Sequence, residues 1–240
     1  MCYRYVLLQR DLRAAAEKLR ARLAIEFGSR YNLPPGNTVP AARAAAGQES
    51  REVALLHWGL VPSWAKRRED FGPKLANARA ESLAEKPSFR DAFRLRRCVL
   101  PASGFYEWEA RGHARLPWLF RRRDEQPLLL AGLWEIWRTP DGRALETCAI
   151  ITTEPNELMR PIHDRMPAVL SPEQCDAWLD PAERAPAELA LLLRPCPAAE
   201  LEARRVSSRV SNLAHDDELC LRPVPSSDLG EPPRQISLDL

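Results

Sequence analysis

RCVLPASGFYEWE, residues 97–109, is the stretch whose reading decides the fold. Its first half is an apolar run. Its second half alternates aromatic and polar residues about Glu107, and Ser103 and Gly104 interrupt the two. This pattern predicts strands over 97–101 and 104–109. Strand patterns recur outward at 52–58, 116–121, 127–137, 147–152 and 166–170, and the opening CYRYVLL (2–8) also suits a strand. In RDLRAAAEKLRARLAIEF (10–27), Leu12, Ala15, Ala16, Leu19 and Leu23 recur at spacings of three and four, which predicts a helix. Short helices are expected near 82–94 and at 171–179 and 186–194, the last two entered through serine or proline. YNLPPGNTVP (31–40), with three prolines and a glycine, reads as an ordered loop. Strands therefore fill the middle of the chain and helices surround them. The expected fold is α+β, a single domain over 1–225 with a curled, mostly antiparallel β-sheet, barrel-like, flanked by short helices. The proline-rich and polar residues 226–240 are expected to form a loose C-terminal tail.

The bulk composition excludes several classes. The chain has 240 residues, with 45% hydrophobic and 28% charged residues, which suits a globular domain. No apolar run approaches the roughly 20 residues needed to cross a bilayer, and arginines interrupt the N-terminal apolar stretch at Arg10 and Arg13, so a cytoplasmic protein is expected. The six cysteines are widely spaced, without a CxxC pair, and the four histidines lie far apart. Neither a disulfide framework nor a zinc site is expected, and most of the cysteines read as small buried apolar residues. A net charge of +2 neither demands nor excludes nucleic acid. The arginine-rich stretches RDAFRLRRC (90–98) and RRR (121–123) admit either a solvated surface or a phosphate-binding face.

Four places carry polar residues that packing alone does not explain: the N-terminus, ANARAES (76–82), Glu107 between Tyr106 and Trp108, and PIHDRMPAVL (161–170). Each has an ordinary explanation. Asn77 can cap a turn, Glu107 can face solvent from an edge strand, His163 can sit satisfied in a tight turn, and Cys2 can be buried. Cys2 adds a chemical possibility. Once the initiator methionine is trimmed, its α-amine and thiol have reference pKa values of about 8 and 8.5. An aldehyde attacked by this 1,2-aminothiol gives an imine, and the thiol then closes a five-membered thiazolidine. A carboxylic acid and an imidazole are the proton carriers such chemistry needs.

Taken together, MC-x-R, RYN-x-x-PG, WGL-x-P-x-W, NAR-x-E, RC-x-x-P-x-x-GFYEW, IH-x-RMP and a late VS-x-x-V resemble the SOS-response-associated peptidase (SRAP) family. Its members protect abasic sites in single-stranded DNA. The resemblance runs from Met1 to about Pro225. It implies that Cys2 is the nucleophile, that Asn77 holds the reacting end and senses the lesion, and that Glu107 moves protons during imine formation and reversal. It implies that His163 helps open the sugar ring. Arg4, Arg79 and Arg165 match phosphate-contacting arginines, and Pro35 and Trp64 match apolar residues that flank and stack on the strand. The implied partner is single-stranded DNA containing abasic sites, with no cofactor, no metal and no membrane, and the chain is expected to act as a monomer. Two positions depart from the family pattern: Tyr3 stands where glycine is usual, and Ser211 where many members have asparagine.

Two other readings remain at this stage. One is an autoprocessing peptidase with Cys2 as nucleophile and His163 as base. The other is a non-catalytic DNA-binding module. A hydrolase built on Ser103 is disfavoured, because PASGF lacks the GxSxG elbow.

Overall fold

The structure, a computed structural model, describes residues 2–45, 50–139 and 141–224. The stretch called a loose tail, 226–240, lies outside the described residues, as does Met1.

In chain order the elements are β1 (Tyr5–Leu7), α1 (Gln9–Lys18), β2 (Ala21–Arg22), β3 (Arg30–Leu33), β4 (Thr38–Ala44), β5 (Arg51–Trp58), β6 (Asn77–Arg79), α2 (Arg90–Leu95), β7 (Arg97–Ala102), β8 (Gly104–Arg111), β9 (Ala114–Arg122), β10 (Leu128–Arg138), β11 (Ala144–Thr153), β12 (Met166–Pro167), α3 (Pro172–Leu179), α4 (Pro186–Leu191) and β13 (Leu201–Arg205). They build two sheets. One runs β13-β9-β8-β1-β3, the other β12-β11-β10-β7-β4-β5-β2, with β6 attached to β11. Most pairings are antiparallel. The parallel ones are β2 with β5 and β11 with both β5 and β6. The α+β class and the mostly antiparallel sheet are as the sequence predicts. The quoted stretch 97–109 is the corner where the chain passes from one sheet to the other: β7 belongs to the larger sheet and β8 to the smaller.

The core lies between the sheets. Leu7, Leu33, Phe105 and Phe120 from the smaller sheet meet Leu100, Leu130, Leu133 and Ile150 from the larger in one buried cluster. All six cysteines are buried free thiols. At Gly104 the backbones of β8 and β9 press so close that an added Cβ would lie 2.7 Å from the Phe120 carbonyl oxygen.

Three local expectations are corrected. The helix read over 10–27 stops at Lys18, because Arg20 takes a left-handed φ of 52° and Ala21–Arg22 pairs with β5 instead. Arg51 answers the open end of the helix, its guanidinium donating to the Leu19 carbonyl at 3.1 Å. The loop read over 31–40 is mostly strand, with only residues 34–37 left as a turn between β3 and β4. Pro40 is tolerated there because β7 pairs with β4 only at Ala42 and Arg43. The helix expected near 82–94 forms only over Arg90–Leu95. Strands β6 and β13 carry no sequence signal of their own and exist through their partners β11 and β9. At α3 the local reading holds: Ser171 and Gln174 make a reciprocal capping box with Pro172 in the first turn.

Candidate functional site

A cleft of about 620 Å³ opens at one end of the smaller sheet, lined by Arg4, Arg79, Glu107, Trp108, Arg115 and His163, among others. Besides the β8–β9 hairpin and Ser211, three separate pieces of chain meet there. β1 is hydrogen-bonded to β8, with the Tyr106 N–H donating to the Arg4 carbonyl at 2.9 Å, and this sets the N-terminal residues beside Glu107. β11 holds the other two pieces on its two edges: Thr152 is in register both with Arg79 of β6 and with Pro167 of β12. Asn77 and Arg79 therefore arrive from one edge, and the His163–Arg165 turn, just before β12, from the other.

Cys2, directly before the lining residues Tyr3 and Arg4, is 0% exposed and does not itself line the cleft. The Asn77 side-chain amide donates to the Cys2 carbonyl at 3.0 Å, which ties the N-terminal backbone in place. Asn77 Oδ1 is buried and has no hydrogen-bond partner among the described residues. Burial pushes the Cys2 thiol well above its ordinary value, and the Glu107 charge adds to this, so the sulfur is held protonated until a base takes the proton.

Glu107 is 4% exposed, and burial raises its carboxyl to about 7. At neutral pH it is divided between acid and base forms, as a group that must give and take protons requires. Its Oε2 lies 4.0 Å from His163 Nε2. Burial also lowers the His163 imidazole below its ordinary value, so the ring is neutral at pH 7. The Arg165 backbone N–H donates to His163 Nδ1 at 3.0 Å, and this leaves the ring proton on Nε2, toward Glu107.

The arginines divide into two kinds. Arg4 is spent internally: its guanidinium donates to Asn32 Oδ1 at 2.8 Å and the Val210 carbonyl at 3.0 Å, and sits 5.7 Å from the Trp108 ring centroid. Arg165 is paired with Glu81. Arg79 is exposed, as is Arg115, which the sequence reading did not select, and neither forms an ion pair within the described residues. Arg115 reaches the cleft because Ala110 and Arg115 are in register in the β8–β9 hairpin, and only that pairing reveals it. Trp108, within the FYEW motif, forms part of the wall, its indole N–H donating to Ser211 Oγ at 2.9 Å. Tyr3, at the position of the usual glycine, is exposed and lines the cleft.

Like Cys2 and Asn77, Trp64 and Pro35 do not line this cleft. Trp64 is 53% exposed, packed edge-on against Phe71 with 5.2 Å between centroids. Pro35 is in the turn between β3 and β4, beside Gly36, whose N–H donates to the Trp58 carbonyl at 2.7 Å. Ser103, for its part, accepts from the Leu8 N–H at 2.8 Å and serves the strand corner.

Comparison with known proteins adds an independent finding. The family model described as SOS response associated peptidase (SRAP) matches residues 1–213. The chain is 43% identical over 188 residues to the abasic site processing protein YoqW of Bacillus subtilis, covering 78% of this chain and 83% of that one. It is 32% identical over 233 residues to the abasic site processing protein HMCES of Gallus gallus, covering 84% and 67%. A crystal structure of a protein from Bacteroides thetaiotaomicron superposes with a TM-score of 0.83 at 27% identity, covering 93% of this chain and all of that one.

Proposed function

Because the chain belongs to the SOS response associated peptidase family, whose curated relatives are abasic site processing proteins, we propose that it captures abasic sites in single-stranded DNA as a covalent thiazolidine through Cys2, once Met1 has been removed. The observation that carries this reading is that Glu107 and His163 line one cleft while Asn77 holds the Cys2 backbone directly before the lining residues Tyr3 and Arg4, four residues brought together from four separate segments.

In this mechanism an abasic sugar, mostly a closed hemiacetal, first opens to its aldehyde. His163 Nε2–H exchanges a proton with the ring oxygen. The Cys2 α-amine, freed by loss of Met1, adds to the aldehyde carbon. Protonated Glu107 supplies a proton to the hydroxyl of this adduct, water leaves, and a C=N bond forms. The nitrogen of this iminium keeps its one N–H; the Cys2 thiol gives its proton to the Glu107 carboxylate, which restores the acid, and the S–C bond forms as the C=N π pair returns to nitrogen. The net change is loss of one water. A carboxyl near pKa 7 serves both the acid and the base step. A thiol held protonated by burial needs that base at the moment of closure. Arg79 and Arg115 hold phosphates without reading sequence.

Intact mass tests the proposal. Incubation with an abasic single-stranded oligonucleotide should give protein lacking Met1 plus oligonucleotide minus one water, stable to heating. No adduct, or one that survives only after borohydride trapping, overturns it. Adduct formation with intact strands, or cleavage of unrelated peptides in its place, favours the binding or peptidase readings.

A further inference from the structure

Glu81 lies in the short turn directly after β6, whose Arg79 lines the cleft and whose Asn77 holds the Cys2 carbonyl. Its carboxylate accepts two hydrogen bonds from Arg165, at 2.7 and 2.9 Å, and the same guanidinium donates to the Thr152 carbonyl at 2.6 Å. The Arg165 side chain is only 13% exposed and Glu81 is 55% exposed, so this fork is anchored inside and reaches outward. Burial works to raise the Glu81 carboxyl, and the Arg165 hydrogen bonds outweigh it, leaving the carboxyl below its ordinary value. The planar, two-point geometry fixes the direction of Arg165 as well as its charge.

Arg165 also sets the His163 ring, through its backbone N–H on Nδ1. A second group competes for that nitrogen. Asp164 Oδ1 lies 3.0 Å from Nδ1, and Asp164 is otherwise largely exposed. A ring that accepts from Arg165 carries its proton on Nε2. A ring that donates to Asp164 carries it on Nδ1 and turns a lone pair toward Glu107. Among the described residues, the charged groups acting on this ring are Glu107 from β8, Arg115 from β9 and Asp164 from its own turn.

We propose that Glu81 is a positioning residue: by clamping Arg165 against β11 it holds the Arg165 N–H on His163 Nδ1, and so keeps the imidazole in the tautomer that presents Nε2–H to the site. This rests on the proton-transfer role proposed above for His163, yet its first test needs no DNA. In full-length protein with 15N-labelled imidazoles, His163 assigned with His163→Gln, the parent ring should show Nε2–H at pH 7.5. In Glu81→Ala the proton should move to Nδ1, and the ring should titrate at a higher pH because Asp164 now stabilises the imidazolium. Arg165→Lys, which keeps the charge and loses the fork, should behave alike. Adding Asp164→Asn to Glu81→Ala should remove the upward shift. Crosslinking of closed-ring abasic strands should slow several-fold in Glu81→Ala, with the salt dependence of DNA binding unchanged. A Glu81→Ala ring that keeps Nε2–H with the parental titration overturns the proposal. If the parent itself forms no crosslink, the functional reading fails while the tautomer measurement still decides the role of Glu81.

Discussion

Glu107 Oε2 stands 4.0 Å from His163 Nε2, with a carboxyl that burial has raised to about 7 facing an imidazole that burial has lowered. Desolvation moves the two groups toward neutrality from opposite sides, because each loses its charged form when water is withdrawn. At pH 7 the pair is an uncharged or singly charged proton relay rather than a carboxylate–imidazolium ion pair.

This gives a pH signature in stability. The folded-state pKa of Glu107 is above its ordinary value near 4.3. Between these values the native state holds a proton that the unfolded state has lost, so stability falls as pH rises from about 4.3 to about 7 and is flat beyond. Glu107→Gln removes that cost. It should raise the thermal midpoint at pH 8, by an amount corresponding to roughly 4 kcal/mol at most, and change little at pH 4. Equal effects at both values would contradict the buried-acid reading. The same substitution should slow both formation and reversal of the crosslink.

Replacement of the thiol separates the two covalent stages. Cys2→Ser keeps the α-amine and loses the atom that closes the ring. It should yield only an adduct lost on heating, while the parent adduct persists on a denaturing gel. Heat-stable product at the parental yield from the serine variant would refute ring closure.

In the proposed mechanism His163 acts before the amine attacks. His163→Ala should slow crosslinking several-fold on ordinary abasic DNA and much less on a strand bearing an aldehyde that cannot cyclise. The two rates, compared on the same oligonucleotide sequence, decide the matter, since an equal loss on both substrates assigns His163 to a later step.

Phosphate contacts should follow exposure. Arg79→Ala and Arg115→Ala should each weaken binding to any single strand and reduce the slope of log affinity against log salt by about 0.7. Arg4→Ala should instead cost stability, because it strips hydrogen bonds from Asn32 and Val210 and uncovers the Trp108 face. A salt titration by fluorescence anisotropy, paired with thermal melts, reads both effects.

Gly104 tests the corner of the fold. An alanine methyl there would meet the Phe120 carbonyl oxygen at 2.7 Å and Leu119 Cδ1 at 3.0 Å. Backbone cannot yield as a side-chain tip can, so Gly104→Ala should destabilise by about 1–3 kcal/mol in urea melts. A variant as stable as the parent would mean that β8 and β9 can separate locally without cost.

The sequence by itself determined the strands with apolar or alternating patterns, the capped entry to α3, and the motif residues, because each of these depends on neighbours a few positions away. Asn77, Glu107 and His163 could be singled out in this way, as polar residues set among small or aromatic ones. Only the tertiary structure decided the rest. The helix over 10–27 was cut at Lys18 because strand pairing at Ala21–Arg22 and the reach of Arg51 outweigh a continued periodic pattern. Residues 31–33 and 38–40 became strand because β3 and β4 find partners in β1 and β5, while Asp216, far along the chain, accepts from the backbone N–H groups of Tyr31 and Asn32. Arg115 entered the cleft through hairpin register, and Arg165 proved to be clamped by Glu81. Likewise, the raised pKa of Glu107 follows from burial at a cleft built by segments distant in the chain. Residue type sets which protons a side chain can exchange, while the removal of water by remote packing sets the pH at which it does so.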